Sequence, residues 1–171
     1  MAFKEIPAEE LKLNPFTDLK KYCIVTAGNE RKCNPMLVTW GGFGVLWRKP
    51  IATIYIRQSR YTKEILDAQD WFTLSFPPES CKPQESYMGS HSGREGDKFA
   101  GSGLHPYYPD ANSAGVEEAD LILVCKKIYT QEMKEDFYTD KAVYEQWNSG
   151  RQAGNNHSIY IGEIVRVLVK E

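Results

Sequence analysis

The sequence predicts a mainly β protein with short helices, built as an antiparallel barrel or sandwich. In the run Trp71 to Phe76, apolar residues occupy alternate positions, which is the pattern of a half-buried strand. Other short runs rich in β-branched and aromatic residues are separated by glycine- and proline-rich turns, as in antiparallel sheets. The length of 171 residues fits one domain with a real core.

Five further stretches predict strands because isoleucine, valine, tyrosine and threonine are concentrated in them. They are Tyr22 to Thr26, Met36 to Trp40, Ile51 to Ile56, Leu121 to Tyr129 and Ser158 to Val169. In the last stretch, apolar residues at odd positions predict one shared face; these are Ile159, Ile161, Val165, Val167 and Val169.

The helical signals are short, and turns separate them from the strands. Helices are predicted at Thr62 to Ala68, Pro83 to Met88 and Lys141 to Trp147, the last with Asp140 as its N-cap. Turn-rich segments are Gly41 to Gly44, Pro77-Pro78, Gly89 to Gly103, Pro106 to Gly115 and Asn148 to Asn156. We therefore predict a single domain over residues 1–171, with an N-terminal arm at about 1–20 and a variable polar insertion at about 131–157.

Charge and composition exclude several classes of function. The net charge of −2 gives no overall attraction to nucleic acid or to an anionic membrane, so a bound anion needs a local cluster of cations. Four cysteines without a Cys-x-x-Cys pair, and an N-terminus without an apolar export segment, predict a protein of the reduced cytoplasm. The apolar runs are strand-sized, so no membrane segment is expected. Three histidines without ligand spacing predict no metal site.

The segment Arg57 to Thr62 follows a strand and leads directly into a helix. Free backbone N–H groups at a helix N-terminus favour an anion, and Arg57 or Arg60 could add a bidentate contact to a phosphate. Ser59 and Thr62 would donate their hydroxyls. In the alternative interpretation, one of these two hydroxyls only caps the helix, and the arginines are solvated.

Two other segments carry polar groups beside glycines. Ser90 to Phe99 combines hydroxyls, an imidazole and a lysine with glycines that allow backbone to approach a ligand; it could also be a surface loop with a charge network among Arg94, Asp97 and Lys98. Asn34 to Gly44 runs from a strand into a glycine-rich turn with aromatics. That segment could meet a flat heteroaromatic ring, or it could be an ordinary hairpin.

Together these strings resemble a known family. In chain order they are NPMLVTWGGFG, ATIYIRQSRYT, FTLSF, GSHSGREGDKF and YIGEI, from about Asn34 to about Ile164. This pattern is similar to the flavin reductase-like, FMN-binding split-barrel family, and in particular to its flavoredoxin-like branch. The resemblance implies a homodimer of six-stranded Greek-key split β-barrels, with FMN held non-covalently near the dimer interface.

Carried over by position, the resemblance implies three groups of FMN-binding residues. The phosphate would be held by Ser59, Arg60 and Thr62 with help from Lys98, with Tyr61 in the same turn and Arg57 close to the flavin or its phosphate. The isoalloxazine ring would be lined by Met36, Val38, Thr39 and Trp40. The far edge of the ring and the ribityl chain would be contacted by Ser90, His91, Ser92 and Gly93. No catalytic side chain is predicted, because hydride transfer between cofactors needs orientation more than an acid or base.

The resemblance thus implies an oxidoreductase that passes electrons from NADH or NADPH through FMN to a flavin, a small acceptor or a redox protein. The alternative is an electron carrier that binds FMN without oxidising a nicotinamide. A third hypothesis is a binding module that has lost the flavin. The polar segment at 131–157 could supply a lid or substrate wall through Tyr138, Tyr144 or Trp147, or it could be dimer surface.

Overall fold

A computed structural model describes residues 2–21 and 23–171. The strands in these ranges are β1 (Phe3–Ile6), β2 (Cys23–Asn29), β3 (Lys32–Val38), β4 (Gly41–Leu46), β5 (Lys49–Arg57), β6 (Trp71–Phe76), β7 (Pro106–Asp110), β8 (Ser113–Val116), β9 (Leu121–Glu132) and β10 (His157–Lys170). The helices are α1 (Pro15–Lys21), α2 (Tyr61–Ala68), α3 (Lys82–Ser90), α4 (Lys98–Ser102) and α5 (Lys141–Asn148).

One open antiparallel sheet organises the molecule. Its strand order is β3-β2-β6-β9-β10-β5-β4, and β1 pairs with β10 beside this path. Strands β7 and β8 form a separate hairpin. The mainly β fold with short helices is therefore confirmed, and the sheet is not closed. The six predicted strands are all present, although Tyr22, predicted to begin one of them, lies outside the described residues.

Strand β4 corrects the prediction of a turn at residues 41–44. A Cβ atom at Gly41 would stand 2.4 Å from the carbonyl oxygen of Thr53 on β5, so glycine here permits close strand pairing rather than a turn. The reversal comes later, at Trp47 and Arg48, which have φ angles of 51° and 61°. Likewise, the predicted loop at 106–115 contains the β7–β8 hairpin, and the predicted loop at 89–103 contains α4.

The sheet is buried on both faces, so alternate residues of one strand enter different clusters. In β9, Leu123 packs into the cluster that contains α2, whereas Ile122 packs into the cluster beneath α3 and α4. Strand β6 is not half-buried as predicted, because the β7–β8 hairpin covers its polar face. There the Thr73 hydroxyl donates to the Ala114 carbonyl at 2.7 Å, and the Val116 N–H donates to Ser75 Oγ at 3.1 Å.

A β-bulge breaks the single face predicted for β10. The pairing with β9 shifts between Ile164 and Arg166, so residues before and after the bulge point to the core from positions of opposite parity. Tyr160 and Ile164 are buried before it, and Val167 is buried after it, whereas Val165 is exposed.

The predicted helices are present with slightly longer bounds. Helix α5 begins after Asp140, whose carboxylate accepts hydrogen bonds from the N–H groups of Ala142 and Val143, which confirms the predicted N-cap. Helix α2 packs its buried residues Ile65 and Leu66 against the sheet. None of the helices in the described residues is long and apolar enough to cross a membrane.

Candidate functional site

Two adjoining cavities lie between the end of β3 and the beginning of α2. The first has a volume of about 260 Å³ and the second about 220 Å³. Four residues line both cavities, so the two are halves of one cleft: Met36, Leu37, Thr39 and Arg60.

The cleft brings together all the predicted site residues except Ser90. Besides the shared residues, the first cavity is lined by Ser59, Tyr61, Thr62, His91, Ser92, Gly93 and Lys98. The second is lined by Val38, Trp40 and Arg57. The hydroxyl of Ser90 points back along α3 and donates to the Ser86 carbonyl at 2.9 Å. Ser90 therefore lines neither cavity.

The residues at the beginning of α2 line the first cavity. Its N-cap position is Arg60, in an extended conformation, and no side chain caps the first turn among the described residues. Neither Ser59 nor Thr62 is thus the cap of this helix. The N–H group of Ser59 donates to Asn155 Oδ1 at 2.9 Å, which fixes the turn that leads from β5 into α2.

The floor of the first cavity is a buried contact among three segments. Asn34 on β3 donates from Nδ2 to the hydroxyl of Thr62 at 2.8 Å. A Cβ atom at Gly93 would stand 1.9 Å from Asn34 Oδ1 and 2.7 Å from the ring of Tyr61. The 90–98 segment can therefore close against α2 only because residue 93 has no side chain.

The cations around the cleft differ in their partners. Within residues 2–21 and 23–171, the Arg60 guanidinium has no hydrogen bond or ion pair, although it lines both cavities. Arg94 donates to the Ser59 carbonyl at 2.9 Å and forms an ion pair with Glu64. Lys98 is buried and donates to the Met88 carbonyl. Of these three cations, Arg60 is thus the one whose side chain has no acceptor within the described residues.

Burial and positive charge shift two neighbouring titratable groups. Burial, and then the charge of Arg60, lowers the pKa of Lys98 to about 8. Burial, and then the charges of Arg57 and Arg60, lower the pKa of His157 to about 4. In both groups burial is the larger cause, and the nearby arginine charges add to it by further disfavouring the protonated form.

Arg57 is held by the segment between β9 and β10. Its guanidinium donates to the Trp147 and Asn155 carbonyls, each at 2.8 Å. Arg57 thus anchors the end of α5, and it also lines the second cavity.

Several residues that line the cleft were missed by the sequence interpretation. They are Asn34, Leu37, Met88, Gly89 and Arg94 in the first cavity, and Tyr55 and His157 in the second. Asn34 and Arg94 lie within the sequence strings that carry the family resemblance, so the sequence contained a signal for both residues. His157 enters the site because β10 pairs it directly with Arg57 of β5, a register that local patterns do not give. In the described part of the chain, no group of three or more His, Cys, Asp or Glu side chains could hold a metal ion.

A model of the flavin reductase like domain matches residues 20–171, which include the whole cleft. The chain belongs to this family. No curated protein matches the sequence of this flavin reductase-like chain.

Solved structures share the split-barrel fold of this flavin reductase-like chain. The flavoredoxin of Methanosarcina acetivorans is 22% identical, with a TM-score of 0.68 over 96% of this chain and 77% of that one. An FMN-binding domain of a flavin reductase-like enzyme from Shewanella baltica is 14% identical, with a TM-score of 0.69 over 98% and 77%. An NADH:FAD oxidoreductase from Streptomyces globisporus, in complex with NAD and FAD fragments, is 15% identical, with a TM-score of 0.63 over 87% and 74%.

Proposed function

We propose that this chain is an FMN-binding flavoprotein of the flavin reductase type. It passes electrons from NADH or NADPH through FMN to a flavin, a small acceptor or a redox protein. The observation that carries the proposal is the unpaired guanidinium of Arg60, placed where the two halves of the cleft meet and where α2 begins. A phosphate ester with a flat ring system matches this combination of an anion site and a neighbouring apolar cavity.

The first cavity has the donors that a phosphate requires. The uncapped first turn of α2 offers N–H groups, Arg60 offers a bidentate contact, and Ser59 and Thr62 offer hydroxyls. Because Thr62 Oγ1 already accepts a hydrogen bond from Asn34, its own proton is available to the ligand. Lys98 adds positive charge from below, and Gly93 keeps the closing segment within reach.

The second cavity has the walls that a flat ring requires. Met36, Val38 and Trp40 contribute apolar surface, and the pKa of about 4 keeps His157 neutral near pH 7. When bound, FMN would supply the hydride and electron chemistry, which this part of the chain would support by orienting the ring and excluding water.

The names of the similar solved structures support this proposal. The Shewanella baltica domain is described as FMN-binding, and the Streptomyces globisporus enzyme as an NADH:FAD oxidoreductase. The flavoredoxins of Methanosarcina acetivorans and Desulfovibrio vulgaris favour the second candidate, an electron carrier that binds FMN without oxidising NAD(P)H. We further propose that the chain forms a homodimer. We also propose a location in the reduced cytoplasm, with which the free cysteines are consistent; these are Cys23, Cys33, Cys81 and Cys125.

The decisive experiment is anaerobic stopped-flow absorbance on the FMN-loaded protein. Bleaching of the flavin bands by NADH or NADPH, faster than the same reaction of free FMN, is expected for the reductase. Reduction by dithionite but by neither nucleotide would establish the carrier instead. A colourless protein that does not bind added FMN would contradict both. Sedimentation velocity on the same sample tests the homodimer.

A further inference from the structure

A third cavity adjoins the flavin cleft and is walled by aromatic side chains. It measures about 320 Å³ and shares Trp40, Tyr55 and His157 with the second cavity. Its remaining lining comes from the segment between β9 and β10: Met133, Tyr138, Val143, Trp147 and Asn148. We call these eight residues the aromatic box. None of the described residues that line it is Asp, Glu, Lys or Arg.

Contacts that do not depend on a ligand fix several walls of the aromatic box. The rings of Trp40 and Trp147 meet edge to face, with centroids 5.4 Å apart at 77°. The ring of Tyr138 packs against the ring of Tyr144, with centroids 5.0 Å apart. The hydrogen bonds from Arg57 to the carbonyls of Trp147 and Asn155 fix the end of α5. The box is therefore preorganised, which reduces the entropy cost of binding.

The polar groups of the box are already engaged or uncharged. Asn148 is buried, donates to the Tyr144 carbonyl at 3.2 Å and lies 3.5 Å from Arg57 Nη1. Burial and the two neighbouring arginines keep the imidazole of His157 neutral at physiological pH by lowering its pKa to about 4. A ligand would thus meet ring faces and methyl groups rather than charges, which favours a neutral and flat molecule.

We propose that the aromatic box binds an uncharged, planar aromatic electron acceptor of one or two rings, such as a quinone, beside the flavin cleft. This inference rests on the proposed function and names the class of its acceptor. In the overall reaction, the quinone takes up two electrons and two protons to become a hydroquinone. The hydride of the nicotinamide supplies both electrons and one proton, and solvent supplies the second proton.

The test measures binding without turnover. FMN-loaded protein in the oxidised state, with no nicotinamide, is titrated with 2,3-dimethyl-1,4-naphthoquinone, whose blocked ring positions prevent addition of the free thiols. Binding is followed by quenching of tryptophan fluorescence and by equilibrium dialysis. 2,3-Dimethyl-1,4-naphthoquinone-6-sulfonate, in which the same ring positions are blocked, serves as the charged counterpart of similar size.

Trp147→Leu should weaken binding of the neutral quinone by about tenfold, the scale of one lost aromatic contact with its buried area. Phe137→Leu is the matched control, because Phe137 is exposed in the same segment and does not line the box. Tyr138→Leu provides a second variant if Trp147→Leu does not fold. Retention of FMN is measured on every sample, so that failure of the box is distinguished from failure of the flavin site.

Three outcomes would overturn the proposal. The first is equal quinone affinity in Trp147→Leu, Tyr138→Leu and Phe137→Leu. The second is binding of the sulfonate as tight as that of the neutral quinone. The third is conversion of a dimer to a monomer by Trp147→Leu, which would make the box a contact between two copies of the chain. Quinone binding that Trp147→Leu weakens, in a protein that binds no FMN, would uphold the box and contradict the proposed function.

Discussion

The side-chain amide of Asn34 donates from Nδ2 to the hydroxyl oxygen of Thr62 at 2.8 Å, and both side chains are buried. This bond joins strand β3 to the first turn of α2, and both residues line the first cavity. The two walls of the proposed phosphate site are therefore connected by this bond.

Thr62→Val should weaken FMN binding and also destabilise the fold. Asn34 Nδ2 would keep only its longer contact with the Pro35 carbonyl, at 3.2 Å, and the cost is about 1–2 kcal/mol. FMN affinity should fall about tenfold through loss of the hydroxyl donor. Urea unfolding and flavin fluorescence quenching measure the two effects. Thr62→Ser retains the hydroxyl, so a Ser variant as impaired as the Val variant would argue against this role.

Arg60→Ala should weaken FMN binding far more than Arg94→Ala. Removing the unpaired guanidinium takes away a charge-assisted contact of about 1.5–3 kcal/mol, or roughly tenfold to a hundredfold in affinity. Arg94 instead forms an ion pair with Glu64 and donates a hydrogen bond to the Ser59 carbonyl. An exposed ion pair of this kind contributes about 1 kcal/mol or less. Equal FMN affinity in wild type and Arg60→Ala would count against the phosphate site.

Gly93→Ala should open the first cavity. The added methyl group would overlap the amide of Asn34 and the ring of Tyr61, so the 90–98 segment must move away from α2. We expect FMN affinity to fall by at least about tenfold, with faster proteolysis of this segment. Gly96→Ala is the matched control, because no atom lies within 4 Å of a Cβ atom there. Comparable FMN affinity in the two variants would contradict the proposed closure.

The affinity for FMN should depend on pH through Lys98. Burial, and then Arg60, lower the pKa of this amine to about 8 in the free protein, whereas a bound phosphate would raise it by stabilising the ammonium ion. Affinity should therefore be constant from about pH 7 to about pH 8 and fall above it, because the phosphate is mainly dianionic over this range. Lys98→Met should bind more weakly at pH 7 and lose this decline. Titrations from about pH 7 to about pH 9.5 test the prediction, and parallel profiles would refute it.

His157 should make the protein sensitive to acid. Its pKa is lowered from 6.5 to about 4 in the folded chain, so between these values the unfolded chain binds a proton that the folded chain does not. Stability should accordingly be lost as the pH falls from 6.5 towards 4, by roughly 3 kcal/mol. His157→Gln should flatten this part of the curve. Urea unfolding at a series of pH values measures it, and superimposable slopes for the two proteins would disprove the role of His157.

Local sequence patterns predicted the helices and strands whose formation depends on residues close in the chain. Helix α5 follows the Asp140 cap, and β6 follows the alternation of its apolar residues. Strand β4 was missed because Gly41 has low strand propensity on its own, and its glycine is required by the backbone of Thr53 on a neighbouring strand. The bulge in β10 was missed because it is set by pairing with β9.

The sequence by itself determined the family strings, the six main strands and the residue types of the proposed anion site and of the apolar cavity beside it. Only the tertiary structure decided which arginine is left unpaired. In a linear chain the three arginines are equivalent donors. In the folded chain, Arg57 donates to carbonyls at the end of α5 and just after it, and Arg94 pairs with Glu64. Those partners are 30 or more residues away in the chain, so the free charge of Arg60 emerges only when distant segments fold together.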